Sequence, residues 1–436
     1  MKKIKENNRR DFIKTLSLAT GVMALSGSMV GCKENVDMDY SRVSQLKKPV
    51  AIAMWDFSWI LRHHKFGEFE DWDQVLQGLA ERGYNAIRMD AMPQFVAADT
   101  DGTIREEFRS HKTSWTPALW GNQYSMTFRP REALLEFLPK CEKYGIKVGL
   151  ASWFLRHGTD RSQIFNEKDA VYRAWDETLG FLESHDLLKN VLYVDLLNEY
   201  PYWHGYDWLK SELNKRSDIE KFRLDNPDAH IPDGGEDKKQ RIEEGIAIDN
   251  PLEVQFYNQF AGDLLKGLKA KYPELDFFVS FSQMDLDKMD LSNCDALDYH
   301  LWFEYFIKVP EIGQIHALDA TLDHRNASAT INKVWTRNKS QLIETMNGSI
   351  AKTARIAREH NIVCGNTEGW GSVNWYDHPE LGWDWIKECA EISVDACLKH
   401  DNYKFICTSN FTHPQFKGMW DDIAWHRAIT GKIKRG

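Results

Sequence analysis

The sequence predicts an α/β protein built as a (β/α)8 TIM barrel, and three observations predict it. Eight short β-like runs alternate with amphipathic, helix-period segments from Pro49 to the C-terminus, the pattern of a parallel sheet covered by helices. About 390 residues follow the N-terminal leader, which suits one barrel of about 250 residues with elaborated loops. The surplus falls in long irregular stretches, 91–128, 200–250 and 302–338, after predicted strands two, four and six. Loops that follow strands lie at the C-terminal face of such a barrel, where active sites are built.

The predicted strands, in order, are VAIAMWDF (50–57), NAIRMD (85–90), IKVGLASWF (146–154), VLYVDLLN (191–198), DFFVSFS (276–282), ALDYHLW (296–302), NIVCGNTE (361–368) and YKFICTSN (403–410). Most are near-continuous apolar runs, as strands buried on both faces require. Between them lie DWDQVLQGLAERG, REALLEFLPKCEKYG, DAVYRAWDETLGFLESH, PLEVQFYNQFAGDLLKGLKAKYP, KSQLIETMNGSIAKTARIAREH and WDWIKECAEISVDACLKHD. Several close on Gly, His or Asp just before the next strand, as helix stops do. The 200–250 insert carries the charge runs RSDIEKFRLDNPD and DGGEDKKQRIEEG and reads as a solvated cap. No internal repeat requires a second domain.

Residues 1–31 stand apart. NNRRDFIKTLSLATGVMALSGSMVGC combines paired arginines, a moderately apolar stretch and a cysteine, the layout of an export signal. RRDFIK resembles a twin-arginine (Tat) signal and MVGC a bacterial lipobox, which makes Cys32 the expected lipidated first residue of the mature protein. Residues 32–48 then form a tether, and 49–436 the barrel. The expected location is that of an exported bacterial lipoprotein, in the periplasm, on the outer membrane or at the cell surface. The whole chain carries −10 at pH 7. Residues 1–31 hold six basic and two acidic residues, so the remainder carries about −14, which argues against a nucleic-acid partner. No other apolar run nears the roughly 18 residues of a membrane span. Cys141, Cys294, Cys364, Cys389, Cys397 and Cys407 show no metal-like spacing and read as buried small hydrophobes, a disulfide being left open.

Strand parity points to the chemistry. If Glu199 faces the barrel mouth beyond strand four, Asp195 points inward and Leu192, Val194 and Leu196 face the helices. The same alternation on strand seven groups Cys364, Asn366 and Glu368. Two glutamates thus end strands on opposite sides of one mouth, the arrangement that lets two carboxyls flank a scissile glycosidic bond. Their roles need different proton affinities, which neighbours must supply. Arg88, in phase with Asp90 on strand two, offers a cation; His300, in phase with Trp302 on strand six, offers a titratable donor.

Together LLNEY, GNTEGW, NAIRMD and YHLWF resemble the pattern of clan A retaining glycoside hydrolases, above all the cellulase-like, glycoside hydrolase family 5-like barrels, over roughly 50–430. The resemblance implies Glu199 as general acid/base, Glu368 as nucleophile, Asn198 at the sugar 2-hydroxyl, Arg88 holding the nucleophile ionised and His300 orienting groups near the cleavage point. It implies an oligosaccharide or polysaccharide substrate and no cofactor or metal. Two departures stand out. Trp302 occupies the place of the family's usual tyrosine two residues after the histidine, and CTSNFTHPQF offers Phe411 and His413 where a tryptophan is usual near the end of strand eight.

Tryptophan is frequent, 17 in all, and flat aromatics suit the apolar faces of sugar rings. Trp203, Trp302 and Trp370 lie close in sequence to the proposed site and are the expected stacking residues. Two rivals remain beside a hydrolase. One is a non-catalytic sugar-binding lipoprotein on the same scaffold; the other, metal-dependent hydrolysis, lacks HxH or HExxH spacing, and RHH at 62–64 follows strand one too early to meet His300.

Overall fold

The computed structural model describes residues 42–111, 125–159, 161, 169–201, 215–225, 251–303, 324–372, 375 and 377–436. Residues 1–31, read from the sequence as an export signal, Cys32, most of the expected tether 32–48 and Trp203 lie outside them. The barrel strands are β1 (Val50–Asp56), β2 (Ala86–Asp90), β3 (Lys147–Ala151), β4 (Val191–Asp195), β5 in two pieces (Phe277–Phe278 and Phe281–Ser282), β6 (Ala296–Trp302), β7 (Val363–Asn366) and β8 (Tyr403–Cys407). Each pairs in parallel with the next, and β8 pairs with β1. The first piece of β5 bonds β4 and the second bonds β6, so this divided strand closes the ring.

The helices form for local reasons. Asp71 caps the helix Trp72–Glu81 by accepting from Gln74 N, and Asp422 caps Ile423–Arg435 through Trp425 N. Proline opens Pro130–Lys143, where its missing N–H costs nothing. Further helices span Ala170–Ser184, Pro251–Lys271 and Asp384–Cys397. The stretch after β2 contains an antiparallel pair, Phe108–Ser110 with Met126–Phe128. No helix among the described residues is long and apolar enough to cross a membrane.

Two expectations are corrected. The stretch 302–338 is not irregular throughout: one 36-residue helix runs from His324 to Glu359. Its buried Ile331, Val334, Trp335, Leu342, Met346 and Ile350 keep helical spacing across position 338, and the polar Asn, Ser and Thr at its start mask that period in the sequence. The second correction concerns alternation on β7. Gly365 pairs with Asp298 and Phe405, and Thr367 bonds Asp298, so Gly365 and Thr367 share the inward face. Strict alternation would send Glu368 outward with Cys364 and Asn366; it reaches the mouth because regular pairing of β7 ends at Asn366.

Two layers fill the barrel. In the lower one Tyr193 packs against Phe278 and Phe405, with ring centroids 4.9 and 5.8 Å away. Glycines make the room, since a Cβ on Gly149 would come within 2.1 Å of the Tyr193 ring and one on Gly365 within 2.3 Å of Phe405. The upper layer is ionic and holds Arg88, Asp195, Asp298 and His300, all buried. The six cysteines after Cys32 are free and buried.

Candidate active site

Arg88, Asp56, Asn198, Glu199, His300 and Glu368 converge at the C-terminal ends of the strands. Arg88 projects inward from β2 and is fully buried. Its Nη1 lies 2.7 Å from Glu368 Oε1 and also donates to Asp56 Oδ1, while Nη2 donates to Asn198 Oδ1 and sits 3.6 Å from Asp195 Oδ2. One guanidinium therefore ties the ends of β1, β2, β4 and β7 together, a use that suits its rigid fork of donors.

Glu199 sits where the chain leaves β4. Its φ of 50° lies in the left-handed region, unusual for a residue with a side chain, and its backbone N–H donates to Ser280 Oγ at 3.0 Å. Ser280, in the gap between the two pieces of β5, also donates to Asp195 Oδ2 at 2.7 Å. The break in β5 thus anchors the turn that presents Asn198 and Glu199 side by side. His300 Nδ1 is 3.0 Å from Glu199 Oε1 and 3.5 Å from Glu368 Oε1. On its other side His300 Nε2 lies 3.2 Å from Thr367 Oγ1 and 3.4 Å from Asp298 Oδ2, and Thr367 donates to that same oxygen at 2.6 Å.

The electrostatics follow from the count. Two basic side chains, Arg88 and His300, serve five carboxyls: Asp56, Asp195, Glu199, Asp298 and Glu368. Burial pushes the Glu368 carboxyl well above the usual carboxylate range; Arg88 and His300 pull against it, and Asp56 and Glu199 add to the rise. Burial raises Asp56 too, against Arg88 and the Trp153 indole, and lifts Asp195 to about 6. Burial would hold His300 neutral, but Glu368 and Asp298 outweigh it and keep the imidazole protonated well above its ordinary range. Asp298 goes the opposite way from Asp56, Asp195 and Glu368: burial opposes its ionisation, yet His300 and Thr367 hold it below the usual range.

One ligand-capable atom each from Glu199, His300 and Glu368 lies within 4.8 Å of the others. Such spacing would suit a metal, but Arg88 already places a fixed positive charge 2.7 Å from Glu368. His300 Nε2 is already engaged by Thr367 and Asp298, and with Arg88 beside Glu368 the group reads as an acid–base set.

Of the aromatics expected at the site, Trp370 is fully buried and Trp302 is 2% exposed. They pair in register between β6 and the two-residue strand Gly369–Trp370, and the Trp370 indole donates to Cys407 O at 3.0 Å. Trp203 lies outside the described residues. Sequence reasoning did not single out Asp56, Trp153, Ser280, Asp298 or Thr367. Asp298 carried a usable signal, since it lies two residues before His300 on the same strand face; Asp56 carried one as the acid ending strand one.

A family model described as sugar-binding cellulase-like matches residues 52–223 and 247–434. A structure from Parabacteroides distasonis, provisionally assigned as a glycoside hydrolase, is 28% identical, covers 89% of this chain and 94% of its own, and superposes with a TM-score of 0.69. An endo-β-1,4-mannanase from Thermotoga petrophila is 11% identical, with 90% and 78% covered and a TM-score of 0.45. A GH5_18 protein from Streptomyces cattleya in complex with GlcNAc is 11% identical, with 89% and 80% covered and a TM-score of 0.48. No curated protein matches the chain.

Proposed function

The chain belongs to the sugar-binding cellulase-like family, and from that premise we propose that it is an exported, lipid-anchored glycoside hydrolase that cleaves β-linked glycosides with retention. The observation that carries the reading is the approach of Glu199 and Glu368, whose nearest relevant oxygens lie within 4.8 Å of each other and of a His300 nitrogen. Retaining enzymes hold their carboxyls about 5–5.5 Å apart, whereas inverting ones leave about 6.5–9.5 Å for a water.

In this mechanism Glu368 attacks the anomeric carbon while Glu199 gives a proton to the departing glycosidic oxygen. A glycosyl ester forms on Glu368 and the glycosidic C–O bond breaks. Glu199, now a carboxylate, takes a proton from water, whose oxygen displaces Glu368 and restores both groups. Arg88 draws charge toward Glu368 before attack and after release. His300, 3.0 Å from Glu199, orients that carboxyl; Asn198, fixed by Arg88, is placed for the sugar 2-hydroxyl.

The test is hydrolysis of a panel of aryl β-glycosides and plant-type oligosaccharides by the chain and its variants. Glu368→Gln should abolish turnover, and azide should rescue Glu199→Ala on activated substrates by replacing the missing general base's water with a better nucleophile. A second reading, sugar binding without turnover, is favoured by the family's own description. No hydrolysis of any substrate, with sugar binding unchanged in both variants, would select it. For the anchor, palmitate labelling that persists in Cys32→Ser would exclude lipidation at Cys32.

A further inference from the structure

Asp56 takes no part in the two-carboxylate mechanism, yet the fold spends distortion to place it. The pairing of β1 with β2 shifts register between Met54 and Asp56, and Asp56 has a φ of 36°, in the left-handed region that side chains disfavour. The bend delivers Asp56 Oδ1 to Arg88 Nη1, the same nitrogen that lies 2.7 Å from Glu368 Oε1. Asp56 Oδ2 accepts from the Trp153 indole at 2.8 Å. Both carboxyls are buried, and a single guanidinium nitrogen serves them.

We propose that Asp56 is a positioning residue for the nucleophile: by sharing Arg88 Nη1 with Glu368, it forms a pair that retains one proton and carries that proton itself when Glu368 attacks. The inference rests on the reading of Glu368 as nucleophile. Two buried carboxylates on one guanidinium nitrogen do not both ionise cheaply, and the other nearby cation, His300, 3.5 Å from Glu368, is also committed to Glu199 and Asp298. Among the described residues the groups facing the pair are Arg88 from β2, Asp90 at its end, Trp153 after β3, Tyr193 and Asp195 from β4, Glu199 after β4, His300 from β6 and Cys407 from β8. When Glu368 becomes a neutral ester, Arg88 Nη1 is left to Asp56 alone, and hydrolysis returns the second carboxylate to it.

The sign of the test is specific. Asp56→Asn keeps the size and an oxygen acceptor but removes the competing charge. Glu368 should then titrate lower by about one pH unit or more. The readout is the carbon-13 carboxyl signal of Glu368 in the full chain labelled with glutamate, assigned by its loss in Glu368→Gln, which needs no turnover. Trp153→Phe provides a second, milder variant: loss of the indole donor makes Asp56 a stronger holder of the proton, so Glu368 should again titrate lower. Where hydrolysis is found, the acid limb of kcat/KM should move down with the NMR titration in Asp56→Asn, and Asp56→Glu should return it toward wild type. A Glu368 titration unmoved in either folded variant overturns the proposal. A shifted titration in a chain that hydrolyses nothing leaves the shared proton standing and removes only the hydrolase reading.

Discussion

The two layers inside the barrel differ in what they do for the molecule. The lower layer, Tyr193 with Phe278 and Phe405, is apolar, and glycines at 149 and 365 let the rings meet in the centre. Burial of such rings is favourable whatever the pH. The upper layer sets Arg88 and His300 among buried acids, and desolvating those charges costs stability that their pairing only partly returns. Stability and chemistry are therefore stacked one above the other, a few ångströms apart. Damage to one layer should show in a different measurement from damage to the other.

The largest effect should come from the upper layer and appear in rate. Glu368→Gln should lower kcat by about 10⁴-fold or more, as removal of a reacting group does, with the melting temperature nearly unchanged or raised because a buried acid is gone. A comparable fall in melting temperature would mean that Glu368 is chiefly structural. Next in size is Arg88→Met, which should cost about 3–5 kcal/mol in denaturant unfolding, the usual penalty for leaving buried partners uncompensated. It should also raise the proton affinity of Glu368. A loss below about 1 kcal/mol would show that the acids around Arg88 are protonated and do not depend on it.

These layers were unequally legible in the sequence. The strand order and the inward set on β4 and β6 follow from period-two alternation, so Asp195, His300 and the eight strand positions are readable from residue types alone. The break in β5 is not readable, because FFVSFS keeps its apolar pattern through Ser280 although the backbone stops pairing there. The same holds for β7: alternation groups Glu368 with Asn366, and only the end of regular pairing turns it inward. The later part of the long helix, KSQLIETMNGSIAKTARIAREH, was readable as helical, whereas its start from His324 escaped because those first turns are polar. Asp56 could be read as the acid ending strand one, but nothing local marks it as the partner of an arginine 32 positions away.

The lower layer offers the next contrast. Gly149→Ala places a methyl within 2.1 Å of the Tyr193 ring, and a packed interior yields little. The expected cost is about 3 kcal/mol, the upper end for overpacking. Activity per folded molecule should be retained, and its loss in a folded variant would show that the two layers are mechanically coupled.

The smallest effect separates the layers by pH. Asp195 is raised by burial to about 6 in the folded state, against an ordinary aspartate value near 3.9. A carboxyl whose folded pKa is raised contributes stability that is complete below the unfolded value and is lost as pH rises through the folded one. Asp195→Asn removes that dependence, so measured against wild type the variant should gain roughly 2 kcal/mol as pH rises from about 4 to above 6, from the two-unit shift. Paired melting curves for wild type and variant across that range isolate the difference from all other titrating groups. Gly149→Ala should run parallel to wild type over the same range. A variant curve parallel to wild type for Asp195→Asn would mean that Asp195 is ionised throughout, held so by Arg88 and Ser280, and that the upper layer stores its protons elsewhere.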